Sequence, residues 1–178
     1  MSMDSATRSL PDPAALVVMG VAGCGKSSLG ARCADALGWP LIEGDDFHAA
    51  ESVAKMRAGI ALTDADRQGW LERLASMLSA HQGGVVLTCS ALRRRYRDQL
   101  RAAKPGLRFV FLDLDPATAH LRVASRGAHF FSPSLVASQF AALESPVGEP
   151  GVLRVDATQP LDALTAQVVS WLAAGGRP

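Results

Sequence analysis

The fold of this chain is decided by Gly20-Val21-Ala22-Gly23-Cys24-Gly25-Lys26-Ser27, a stretch that fits the phosphate-binding pattern G-x-x-x-x-G-K-[ST]. The apolar run 16–19 precedes it and predicts a buried strand. Leu29, Cys33 and Leu37 follow it at the spacing of one helix face. A strand therefore leads through a glycine-rich turn to a helix N-terminus, where free N–H groups and the helix dipole attract phosphate oxygens.

This loop predicts that the chain binds ATP together with Mg²⁺. Lys26 is expected to reach the β- and γ-phosphates, and the Ser27 hydroxyl is expected to ligate Mg²⁺. Glycine lets the backbone approach the phosphates closely. The other nucleotide-binding residues predicted in and beside the loop are Gly20, Gly23, Cys24, Gly25 and Ser28.

Length and composition indicate one globular domain. The chain has 178 residues, of which 48% are hydrophobic and 20% are charged. Residues 1–13 are polar and predict a flexible tail, which leaves 14–178 as a single kinase-like domain. A net charge of +1 gives no support for binding nucleic acid or an anionic membrane, and no apolar run has the length of a membrane span. The odd number of cysteines, without metal-ligand spacing, predicts reduced thiols and a cytoplasmic protein.

Four further apolar runs predict strands that alternate with helical patterns. Alternation of this kind indicates a three-layer αβα sandwich of the P-loop NTPase class, built on a five-stranded parallel sheet. Ligands of such sheets bind beyond the carboxyl ends of the strands. The predicted strands are 40–43, 85–89, 108–112 and 152–155.

Two acids follow the second predicted strand. Glu43 and Asp45 are expected on the same side of an extended segment, since side chains alternate along a strand. One can hold Mg²⁺, directly or through water, and the other can orient a substrate hydroxyl and accept its proton. Asp45 is shorter and lies nearer the polar block that begins at His48, so it is assigned the hydroxyl, and Glu43 a water-mediated metal role. The alternative is a pair of solvated acids, one of which caps a helix.

Region 45–80 carries a dense polar block that predicts a helical substrate-binding insertion. Within it, Arg67 can grip a carboxylate with two hydrogen bonds. Arg122 and Arg126 share a helix face and lead into a glycine- and proline-containing turn. We expect a lid at about 122–134 that closes over ATP, with Arg126 neutralising charge on the transferred phosphoryl group. The alternative to a lid is that Arg122 and Arg126 are simply a pair of surface arginines.

The assembled pattern resembles the P-loop gluconokinases, in the nucleoside-monophosphate-kinase-like group, from about Leu16 to the C-terminal helix. Residues 44–48 resemble that family's G-D-x-x-H, and 55–70 resemble its K-M-x-x-G-x-x-L-x-D-x-D-R-x-x-W. Residues 89–98 resemble C-S-A-L-x-x-x-Y-R-D, and 126–131 resemble the lid segment R-x-x-H-F-F.

The resemblance implies ATP-dependent phosphorylation of D-gluconate at its 6-hydroxyl, which Asp45 would hold in line. By analogy with shikimate kinases, Arg67 would grip the substrate carboxylate. The loop 156–160 would border the adenine opposite Arg122, through Thr158 and Pro160. The other residues that the resemblance brings to the substrate are His48, Lys55, Ser90, Ala91, Arg97 and His129.

Two other functions stay open at this point. One is a kinase for another small hydroxy acid, such as shikimate. The other is a regulatory module that binds ATP without turnover, although pure binding would not need the two acids, Arg67 and the lid arginines. The sequence does not fix the oligomeric state, and a homodimer is one possibility.

Overall fold

A computed structural model describes residues 15–126 and 131–176. In that part of the chain a five-stranded sheet has the order β2-β3-β1-β4-β5, and all neighbouring strands are parallel. The strands are β1 (Ala15–Met19), β2 (Leu41–Glu43), β3 (Val85–Thr88), β4 (Arg108–Asp113) and β5 (Val152–Asp156). The helices are α1 (Lys26–Leu37), α2 (Ala50–Arg57), α3 (Asp64–Ala80), α4 (Arg94–Ala103), α5 (Pro116–Ser125), α6 (Val136–Ala142) and α7 (Leu161–Ala173).

Both faces of the sheet are buried, which confirms the three-layer sandwich. Within β1, Leu16 and Val18 pack into the core beneath α1 and α7, whereas Val17 and Met19 pack into the core beneath α3 and α4. This separation follows from the period of two along a strand. An all-apolar strand such as β1 needs a helical layer on each side, because each face would otherwise meet water.

The topology places the carboxyl ends of β1, β2 and β3 side by side. The P-loop leaves β1, a 3-10 turn (Gly44–Phe47) leaves β2, and the segment 89–93 leaves β3. All five strands lie where the sequence predicts them, and one end of each differs from the predicted end by one residue. The predicted tail 1–13, the middle of the predicted lid and His129 lie outside the described residues. In the described ranges no helix is both long and apolar enough to cross a membrane.

Candidate active site

Gly20 and Gly25 give the P-loop its shape. Gly25 adopts a left-handed φ of 98° immediately before α1 begins at Lys26. At Gly20 a Cβ atom would lie 2.7 Å from Cys24 Sγ and 2.9 Å from the Leu112 carbonyl oxygen, which is closer than real contacts allow. The loop therefore folds back tightly over the end of β1. The Lys26 ammonium donates to the carbonyl oxygens of Gly20 and Val21, each at 3.1 Å.

Glu43 is joined to the P-loop helix by hydrogen bonds. Ser27 Oγ donates to Glu43 Oε2 at 3.1 Å, and Thr88 Oγ1 donates to the same oxygen at 2.7 Å. A hydroxyl and a carboxylate beside the P-loop are ligand types that suit Mg²⁺, which keeps several waters and takes few protein ligands. Among the described residues no group of three or more acidic, histidine or cysteine side chains has the geometry of a metal cage. The donor set thus fits a metal held mainly by phosphates and water.

Asp45 lies in a turn and not in an extended segment, which corrects the sequence-based geometry. The strand ends at Glu43, and Gly44–Phe47 form a 3-10 turn. Gly44 is pressed so closely onto Thr88 that its N–H donates to Thr88 Oγ1 at 3.2 Å. The chain leaves the extended conformation at Gly44, where this contact is made. As a result Asp45 lines the cavity, while Glu43 is directed to Ser27.

His48 and Trp70 form the wall beside Asp45. The two rings stack with centroids 4.2 Å apart and an interplanar angle of 18°. Trp70 Nε1 donates to the Gly44 carbonyl oxygen at 2.7 Å, so the indole also fixes the turn. His48 Nε2 lies 3.5 Å from Asp45 Oδ1, and its Nδ1 is buried without a partner in the described structure. The imidazole is therefore held by packing and faces Asp45 with one nitrogen.

The pKa of Asp45 lies below the ordinary aspartate value. Burial alone would raise it, but the hydrogen bond from His48 and the positive charge of Lys26 outweigh that effect. Asp45 is therefore ionised at neutral pH. An ionised carboxylate can accept a hydrogen bond, and then a proton, from an alcohol.

A cavity of about 410 Å³ joins the P-loop to these acids. Ten predicted site residues line it, and they include the phosphate-binding positions and the acceptor-side groups. Those ten are Gly23, Gly25, Lys26, Ser27, Ser28, Asp45, His48, Arg67, Ser90 and Arg126. The apolar and neutral lining was not predicted from the sequence, and it includes Met56, Trp70, Phe131, Ser138 and Gln139. Met56, Trp70 and Phe131 lie in segments that match the family pattern, but no local chemistry in the sequence identifies them as cavity residues.

Arg67 and Lys55 have different surroundings. Arg67 lines the cavity, donates through Nη1 to the Leu62 carbonyl oxygen at 3.0 Å, and lies 5.9 Å from the centre of the Tyr96 ring. Its remaining N–H groups suit a carboxylate. Lys55 instead places its ammonium 2.8 and 3.0 Å from the two oxygens of Asp66. Asp66 also closes the capping box of α3 with Thr63. The structure thus does not place Lys55 on the cavity.

The structure does not bring the side chains of Arg97 and Ala91 to the cavity, where the sequence places them. Both side chains are fully buried, with no exposed surface. Arg97 bonds Glu149 through Nε and Nη2 at 3.0 and 2.6 Å, and it donates to the Ala91 carbonyl oxygen at 2.8 Å. Ala91 has a left-handed φ of 47°, which is uncommon for alanine. Arg97 and Ala91 stabilise the turn after β3 from inside the core. Of the residues in this turn, only Ser90 lines the cavity.

Arg122 connects three segments on the nucleotide side. It donates to the Gly23 carbonyl oxygen at 3.3 Å and to the Ala157 carbonyl oxygen at 3.2 Å. The loop after β5 therefore lies beside the P-loop, although Thr158 and Pro160 do not line the 410 Å³ cavity. Thr158 instead bonds Asp156 Oδ1 through its N–H and its hydroxyl. The contact of this loop with adenine stays a prediction, as does the closing of the lid.

The chain is similar to proteins of known family. The family model described as "AAA domain" matches residues 16–148. The thermosensitive gluconokinase of Escherichia coli (strain K12) is 39% identical over 156 residues, which cover 85% of this chain and 83% of that protein. The gluconokinase of Gluconobacter oxydans (strain 621H) is 40% identical, over 88% of this chain and 90% of that protein. This chain belongs to the gluconokinase family.

A solved structure agrees with this family membership. The crystal structure of a gluconokinase from Sinorhizobium meliloti 1021 aligns with a TM-score of 0.84 and 44% identity, over 91% of this chain and 93% of that one. The P-loop and the parallel sheet predicted from the sequence therefore agree with the structure. Both features fit an ATP-using enzyme of the gluconokinase family.

Proposed function

We propose that the chain transfers the terminal phosphoryl group of ATP to the 6-hydroxyl of D-gluconate, giving 6-phospho-D-gluconate and ADP. The observation that carries this proposal is the single cavity that joins the P-loop to Asp45 and Arg67. A sugar acid has a hydroxyl group at one end and a carboxylate at the other. Asp45, beside the phosphate site, can accept a hydrogen bond from the hydroxyl, and the Arg67 guanidinium can bind the carboxylate. Names of family relatives support the same substrate.

The reaction needs alignment and charge neutralisation more than covalent help. Asp45 would hold the 6-hydroxyl and accept its proton as the oxygen attacks phosphorus. Lys26 and Arg126 would stabilise the negative charge on the transferred group. Arg67 would bind the gluconate carboxylate and fix the far end of the chain, while His48 would pack along it. Ser27, with Glu43 through water, would hold Mg²⁺, which supplies further charge neutralisation when bound.

A coupled assay for ADP release tests the substrate. The panel contains gluconate, shikimate, glucose, glycerate and a nucleoside monophosphate, and a reaction without acceptor reports ATP hydrolysis alone. Gluconate should give the highest kcat/KM. Equal activity on neutral glucose would rule out carboxylate recognition, a preference for shikimate would favour the other kinase class, and ATP binding without turnover on any acceptor would favour the regulatory module.

A pair of isosteric variants tests the division of roles between the acids. Asp45→Asn keeps the size but removes the proton acceptor, so kcat should fall strongly while ATP binding changes little. Glu43→Gln should instead raise the Mg²⁺ concentration needed for half-maximal rate. If Asp45→Asn stays active while Glu43→Gln is inactive at saturating Mg²⁺, the two roles are reversed.

Cytoplasmic location and a homodimer stay predictions. All three cysteines are free and buried, which suits a reducing compartment. Burial raises the pKa of Cys33 to about 11 and that of Cys89 to about 12, so these thiols are expected to resist modification in the folded protein. Cell fractionation and sedimentation analysis check the two expectations separately.

A further inference from the structure

Gln139 on α6 is bonded to the main chain of the P-loop. Its Oε1 accepts a hydrogen bond of 2.7 Å from the Ala22 N–H, across 117 residues of sequence. Gln139 also lines the cavity, as do its neighbour Ser138 and the loop residues Ala22 and Gly23. The helix that follows the predicted lid is thus attached to the phosphate-binding loop by one side chain.

The peptide unit between Val21 and Ala22 is held from both edges. Gln139 binds its N–H, and the Lys26 ammonium binds its carbonyl oxygen at 3.1 Å. When both hydrogen bonds are added to the roughly 2.3 Å between the oxygen and nitrogen of a peptide unit, Gln139 Oε1 and the Lys26 ammonium are at most about 8 Å apart. The amide nitrogen Nε2 lies roughly 2.3 Å from Oε1, so the two donors are at most about 10 Å apart. Two donors that contact different oxygens of one phosphoryl group can be up to about 8 Å apart, and both residues line the same cavity.

The orientation of the Gln139 amide is fixed by its partner. A main-chain N–H can only donate, so the atom that faces it must be the amide oxygen. The nitrogen Nε2 then keeps two N–H donors, and no residue within 15–126 or 131–176 accepts from them. The surrounding lining includes Lys26, Arg126 and the first turn of α1, all of which favour an anion.

We propose that Gln139 Nε2 donates to the transferable γ-phosphoryl group of ATP, opposite Lys26. This inference rests on ATP being the phosphoryl donor, which is part of the proposed function. The first turn of α1 supplies main-chain donors for the inner phosphates. Gln139 lies instead at the beginning of the loop, in the same cavity as Asp45 and Ser90, where the acceptor binds. We therefore assign Gln139 to the phosphoryl group that is transferred, and the comparison of the ATP analogue with ADP tests this assignment.

The variant Gln139→Glu separates this role from loop anchoring. A carboxylate still accepts from the Ala22 N–H, but it has no donors and repels a phosphoryl group. Calorimetry with Mg²⁺ and without gluconate should show at least about tenfold weaker binding of a non-hydrolysable ATP analogue, with ADP affinity changed several times less. Gln82→Glu, at an exposed position after α3, is the matched control and should change neither affinity.

Two outcomes overturn the inference. Unchanged affinity for the ATP analogue would mean that Gln139 only anchors the loop, and equal loss for both nucleotides would mean that the loop is distorted. If Gln139→Glu does not fold, Gln139→Met is measured instead. The inference then requires that Gln139→Met loses more affinity for the ATP analogue than for ADP. A wild-type protein that binds the ATP analogue yet does not phosphorylate gluconate would overturn the proposed substrate and leave this inference standing.

Discussion

Glu149→Gln is expected to lower the free energy of unfolding by about 3 kcal/mol, the lower end of the range for breaking a buried ion pair. The side chains of Arg97 and Glu149 are 0% and 7% exposed, and the change removes the negative charge and replaces one acceptor oxygen by an NH2 donor. Both oxygens of Glu149 accept from guanidinium groups, Oε1 from Arg97 and Oε2 from Arg97 and Arg101, so at least one of these bonds is lost as well. The loss should not reach the upper end of the range, because the carbonyl oxygens of Ala91, Leu92 and Glu144 still solvate the Arg97 guanidinium.

Urea titration, monitored by circular dichroism, measures this difference in the free energy of unfolding. The melting temperature should fall by roughly 6–12 °C for a domain of this size. The control is Asp162→Asn, which breaks the ion pair between Asp162 and Arg32. The Asp162 side chain is 82% exposed and the Arg32 side chain is 53% exposed. That exposed pair should be worth at most about 1 kcal/mol. A loss below about 1 kcal/mol in Glu149→Gln would refute the reasoning that a buried, uncompensated guanidinium is costly.

The pH dependence of the same variant provides a second check. Burial raises the pKa of Glu149, but the bonds from Arg97 and Arg101 outweigh it and hold the pKa below the ordinary value. A depressed carboxyl pKa stabilises the fold at pH above the unfolded value of about 4.3, and this contribution is lost as the pH falls. The stability difference between wild type and Glu149→Gln should therefore shrink below about pH 4. A difference that stays constant would contradict the charge-based explanation.

Three further variants test other parts of the structure. Lys26→Ala should reduce kcat on the order of a hundredfold or more while the circular dichroism spectrum stays unchanged, and a near-normal rate would contradict its role on the phosphates. Arg67→Ala should raise the KM for gluconate about tenfold or more with a smaller effect on kcat, and an unchanged KM would exclude it as the carboxylate partner. Gly44→Ala should destabilise the fold by about 1–3 kcal/mol in urea titration, because its Cβ would lie 2.1 Å from the Thr88 carbonyl oxygen; wild-type stability would mean that β2 can move away.

Sequence patterns alone were enough to predict the P-loop, the parallel sheet and most of the phosphate site. These features depend on local patterns: the glycines before Lys26, the apolar runs of the strands and the helical spacing after them. Such patterns act over a few residues, so the chain order reveals them directly. The acids after β2 could also be located, because in a parallel sheet the residue that follows a strand lies at the ligand-binding edge.

The partners of the arginine and amide side chains depend on tertiary packing and could not be predicted from the sequence. Arg97 and Arg67 are both basic residues in matching motifs, yet one is sealed in the core by Glu149 and the other faces the cavity. Lys55 is neutralised by Asp66, and Gln139 meets Ala22 from a helix more than a hundred residues away. Burial and pairing of a charged side chain depend on which distant segments pack around it. That packing is a property of the whole fold, and no local pattern in the sequence encodes it.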